Sequence, residues 1–242
     1  MSKVCDHCGE PEGADALKVA AWKTHKKECK RISAQKQGSA LPDSEAELRK
    51  GWANGLSRDD RYEWLTDCFR MRMDDLYCWG GGELRGVMDP EATPKSVSEE
   101  FWIFSKLAVK NKVLPEVWDW KAFLTKASGL VPYAFEKADA KEKYGRENVF
   151  SGMLGGRSLR CTGELIYGSS VMGYNPSPDE SAFFNAIAET ELFEHDEEGS
   201  THEEDDDDRA NACADVGGLE VWLNFCEELT KNPGPNIHQS DL

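Results

Sequence analysis

Histidine is scarce in this chain: there are 5, and none stands between His25 and His195. Acid–base catalysis near neutral pH leans on imidazole. A central enzyme built on Ser/His/Asp or Cys/His pairs is therefore not expected. No run of 18 apolar residues occurs, so no transmembrane helix is expected. Basic residues are the minority, 29 Lys and Arg against 45 Asp and Glu, giving a formal charge of −16. Phosphate binding is driven by Lys and Arg, so no nucleic-acid partner is expected. Cys5, Asp6 and His7 stand where a secretion signal needs an apolar stretch. Strand-type alternation is scarce, and no internal repeat is visible. These absences lead us to expect an intracellular protein, cytoplasmic or nuclear, with no membrane partner.

What is present supports a helical body. Hydrophobic residues make up 39%, with 8 Trp and 10 Phe, enough for a core. In "SRDDRYEWLTDCFRMRMDDLY", Tyr62, Leu65, Phe69, Met73 and Leu76 recur at helical spacing, and glycines follow. "SVSEEFWIFSKLAVKN" reads as a Ser-capped helix, and "LPEVWDWKAFLTKAS" as one with Pro115 near its first turn. "YAFEKADAKEKYG" reads as a short helix closed by Gly145. Further helices are expected from Ser158 to Tyr167, from the cap at Ser177, and over "GGLEVWLNFCEEL". The expected fold class is mainly α, with six to eight helices in the body.

Charge and composition divide the chain. Residues 1–36 form a small Cys/His module with a basic helix, 37–54 a linker and short helix, and 55–193 the helical body. "EHDEEGSTHEEDDDDRAN" offers nothing to bury, so 194–212 is expected to be a disordered acidic loop. Residues 213–242 supply a last helix packed on the body and a short tail.

Of 8 cysteines, Cys68, Cys78, Cys161, Cys213 and Cys226 stand singly and read as small hydrophobes. Cys5, Cys8 and Cys29 cluster with His7 and His25. Cys5-x2-Cys8 and His25-x3-Cys29, with Trp22 three residues before the histidine, resemble the two ends of a MYND-type zinc finger. In that family eight ligands hold two zinc ions in a crossed pattern. The middle four cysteines are missing here, and the gap falls between Lys18 and Val19. The stretches "DCFRMRMDDLYCWGGGELRG", "FEKADAKEKYGRENVF" and "GGRSLRCTGELIYGSS" resemble the body of fungal proteins that carry such a finger. The resemblance covers most of the chain and brings no activity. It implies a protein or peptide partner, because MYND fingers generally take short proline-containing peptides.

Zinc needs four N or S ligands in a tetrahedron. Cys5, Cys8, His25 and Cys29 are four, at suitable spacing, so one zinc per chain is the most the module can hold. In the family the two pairs serve different ions, so this foursome was not shaped to converge. A single Cys₃His site and a weak or empty one both stay open.

Two functions follow. The first is a non-catalytic protein–protein interaction protein of the MYND-finger type, its zinc binding weakened or lost. The second is a helical enzyme with a site near Arg157, Arg160 and Tyr167, where "GGRSLR" enters a helix able to face an anion. The lysine methyltransferases that carry MYND fingers need an Asn-His-x-Cys stretch, which this chain lacks. Asp74 and Asp75 are adjacent on a helix and do not face one site. They are expected to pair with Arg70 or Arg72.

Overall fold

The longest element is a helix whose middle, from Thr66 to Asp75, buries polar residues along with apolar ones. The structure, a computed structural model, describes residues 50–81, 84–150, 157–172, 174–193, 203–235 and 237. The Cys/His module at 1–36, the linker to residue 49 and the tract 194–202 lie outside the described residues. Eight α-helices and three 3₁₀ turns make up the described part, and no strand occurs among the described residues. The mainly α expectation holds.

Helix α1, Arg58–Trp79, is capped by Ser57, whose side chain accepts from Asp60 N. Asp59 and Asp60 sit in its first turn, where the helix dipole favours negative charge. It packs along α5 (Leu159–Tyr167), α3 (Trp120–Ser128) and α4 (Lys137–Phe150). Helix α2, Pro94–Lys110, packs along α8 (Leu219–Lys231), α5 and α6 (Pro178–Thr190). Phe101 sits where these layers meet. Its ring centroid lies 5.0 Å from Phe69, 5.4 Å from Phe225 and 6.1 Å from Trp222. Burying an aromatic of this kind stabilises by about 1.5–3 kcal/mol.

Helix starts depart from the sequence reading in two places. Helix α2 begins at Pro94, ahead of the expected Ser cap. Thr93 and Ser96 form a reciprocal capping box, and proline already has the helical φ at the first position. Helix α3 begins at Trp120, not near Pro115, because Asp119 provides the cap, accepting from Ala122 N at 3.0 Å. Gly145 does break α4, at φ 77° and ψ 159°, but helical backbone resumes beyond it. The helix expected from Ser158 starts there, capped by Ser158 itself, and the Ser177 cap stands where it was expected.

Two boundary expectations are corrected. Residues 51–53 form a 3₁₀ turn that belongs to the body, not to a linker. Trp52 is buried there and its indole donates to Val113 O at 2.9 Å. The tract expected to be disordered over 194–212 is helical from Glu203, as α7 (Glu203–Cys213). Its acidic residues stand at the helix N-terminus, where the dipole offsets their mutual repulsion. Its far end is anchored by Cys213, which is fully buried, and by Lys106, whose ammonium donates to Ala212 O at 3.0 Å.

Candidate functional site

Helix α1 carries two buried polar groupings and one small cavity. The first centres on Asp67. One carboxylate oxygen accepts from Arg70 at 2.6 Å; the other accepts from Lys143 at 2.6 Å and the Tyr144 hydroxyl at 2.7 Å. The rest of the Arg70 guanidinium donates to Tyr133 O at 2.8 Å and Ala134 O at 3.0 Å. It also lies 4.6 Å over the Phe135 ring. Burial, then the Asp67 charge, pushes the Tyr144 phenol well up, so it stays a donor. Both Asp67 oxygens and all three Arg70 nitrogens have partners. This grouping fastens α4 and the chain before it to α1.

The second grouping is more deeply enclosed and draws on five segments. Arg85 makes a fork with Glu100 of α2, at 3.0 and 2.7 Å. Its remaining nitrogen donates to Glu180 of α6 at 2.7 Å and to the Tyr174 hydroxyl. Tyr174 in turn donates to the same Glu180 oxygen at 2.7 Å. Arg72 of α1 donates to Ser169 O at 2.9 Å and Ser169 Oγ at 3.1 Å, and lies 4.6 Å over the ring of Tyr167. Burial works against the Arg85 charge, but the Glu100 carboxylate overcomes this and holds Arg85 above its ordinary range. Burial lowers Arg72, which has no carboxylate fork of its own. Two arginines and two glutamates make the centre electrically neutral.

The cavity lies between α1 and α5. It measures about 30 Å³ and is lined by Cys68, Arg72, Asp75, Arg160, Glu164 and Val171 among others. A water needs at least roughly 10–15 Å³ by this kind of measure, so the space suits about two waters.

The residues singled out from the sequence are spread out. Arg157 donates to Trp52 O and Asn54 O, tying the 3₁₀ turn to the start of α5. Arg160 makes a two-pronged pair with Asp75, with Nε to Oδ2 at 2.7 Å. Tyr167 is buried in the second grouping. The three do not converge on one open site, and both arginines are occupied by protein oxygens. The expected pairing of Asp74 and Asp75 is also corrected. Arg70 belongs to Asp67 and Arg72 to Ser169, while Asp75 takes Arg160 from across the α1–α5 contact. Asp74 faces Cys78 Sγ at 3.8 Å. Burial, with Asp75 and Glu136 nearby, raises its carboxyl above the usual range.

Sequence reading passed over Arg85, Glu100, Tyr174 and Glu180. Charged residues at helical spacing read as solvent-facing, and no signal in the chain tells a buried glutamate from an exposed one. Cys5, Cys8, His25 and Cys29 lie outside the described residues. Among the described residues no group of three His, Cys, Asp or Glu is arranged to hold a metal ion. No helix among them is long and apolar enough to cross a membrane. No protein-family model, curated protein or solved structure matches the chain.

Proposed function

We propose that the protein works by binding another protein, as a truncated MYND-type finger carried on a helical scaffold. The observation that carries this reading is the pairing of Cys5-x2-Cys8 with His25-x3-Cys29 beside Trp22. The body supports it indirectly. Its interior arginines and carboxylates are largely engaged with one another, which suits a scaffold better than a site awaiting substrate. Zinc, at most one ion per chain, would be held by Cys5, Cys8, His25 and Cys29 and would order the module.

One observation favours the second reading, a helical enzyme. The cavity beside Arg160 is lined by two arginines and two carboxylates, as a catalytic cleft would be. Its 30 Å³ is far below the several hundred Å³ that enclose a substrate. The interaction reading therefore stands first.

The test uses the chain as it is and a form with the missing segment, C-x2-C-x4-C-x3-C-Q, restored between Lys18 and Val19. Each is titrated calorimetrically with a panel of short proline-containing peptides. Binding by the restored form, lost on C5S and much weaker in the short form, supports the reading. If neither form binds any peptide of the panel, peptide recognition is wrong for this protein.

A further inference from the structure

Three polar atoms of the Arg85 grouping have no hydrogen-bond partner among the described residues: Arg72 Nε, Tyr167 Oη and Glu180 Oε2. All three side chains are sealed from solvent, at 4%, 1% and 0% exposure. They come from α1, α5 and α6, and the side chains of Tyr167 and Tyr174 link them. The Arg72 guanidinium lies 4.6 Å over the Tyr167 ring and 5.6 Å from the Tyr174 ring. The Tyr174 hydroxyl already holds the other oxygen of Glu180. Burial pushes the Tyr167 phenol well up, so its hydroxyl keeps its proton and can both donate and accept.

The chemistry of the three is complementary. Arg72 Nε can only donate, the Glu180 carboxylate can only accept, and the phenol can do either. A buried polar atom left without a partner costs more than the partner would contribute, and three such atoms in one place are improbable in a stable core. A guest that accepts from Arg72, donates to Glu180 and meets the phenol would answer all of them. The centre already balances two arginines against two glutamates, so it selects a neutral guest over an ion. Arg72 also borders the cavity between α1 and α5.

We infer that Arg72, Tyr167 and Glu180 form an internal site for one small neutral hydrogen-bonding molecule, and that its occupant is water. Buried water typically makes about three hydrogen bonds, the number on offer here. The bound water adds a polar link between α1, α5 and α6 at this point. Arg72 and Tyr167 are otherwise linked only through the face of a ring.

The test counts long-lived internal waters in the full chain by oxygen-17 magnetic relaxation dispersion, comparing the natural protein with Y167F. One fewer long-lived water in Y167F is expected, together with a fall in Tm of about 2–4 °C. An unchanged count overturns the inference, as does a higher Tm in Y167F, since that would mean the hydroxyl had no partner to lose. If Y167F does not fold, a high-resolution crystal structure of the natural chain decides the matter. Water density within hydrogen-bond distance of all three atoms upholds the site, and its lack there sinks it.

Discussion

The Asp67 and Arg85 groupings lie on opposite flanks of the same helix. Asp67 and Arg72 are five positions apart, about 140° around α1. Both groupings bury arginine against carboxylate, but they are built differently. Two of the three donors around Asp67 have somewhere else to go: Arg70 keeps two backbone carbonyls, and Lys143 keeps Glu63. Arg85 has no such reserve. It is the shared cation for Glu180, which is sealed from water, and Glu100, which is partly buried. The first is a redundant clamp; the second depends on one residue.

The largest effect is therefore expected at Arg85. R85M should leave the buried Glu180 and the partly buried Glu100 without their cation, costing about 3–5 kcal/mol in urea unfolding. Acid should return part of this loss, because the stranded carboxyls protonate more readily than in the unfolded chain. A loss below about 1 kcal/mol would mean that water reaches the centre freely. D67N should cost less, about 1.5–3 kcal/mol, because Arg70 and Lys143 retain partners. If D67N proves the worse of the two, redundancy is not what separates the groupings.

A smaller effect, of opposite sign, is expected at Asp74. Its carboxyl is raised chiefly by burial, so the folded protein holds that proton more readily than the unfolded chain does. Stability then falls as pH rises from the ordinary carboxylate range through the raised value. D74N removes that decline. It should match the natural protein in acid and exceed it, by less than about 1 kcal/mol, near pH 7. Parallel stability curves for the two proteins would show that Asp74 does not titrate differently on folding.

The smallest effect is expected from metal removal. Chelation should release at most one zinc ion per chain and leave helical circular dichroism essentially unchanged, since both groupings are held by side chains alone. Two zinc ions per chain, or a broad loss of helicity, would overturn this.

Helix positions were legible in the sequence wherever a cap and an apolar period coincide. Ser57, Ser158 and Ser177 each precede a helix and accept from the backbone three residues on. Where two caps competed, as at Thr93 and the serines after it, local pattern alone did not choose. Helix α7 is not legible in the sequence for a related reason. Its acidic run is no worse placed than any other at a helix N-terminus, but its anchors, Cys213 and the partner Lys106, lie at its far end and on another helix.

The sequence by itself determined the mainly α class, most helix starts and the apolar stripe from Tyr62 to Leu76, because these depend on contacts within a few residues. Only the tertiary structure decided which charges are interior. Arg85 reaches Glu180 and Asp75 reaches Arg160 across long stretches of chain. A carboxylate four residues from an arginine looks the same in sequence whether its helix is covered on one side or all round. Helix α1 is covered on several sides, and that alone turned its polar face into part of the core.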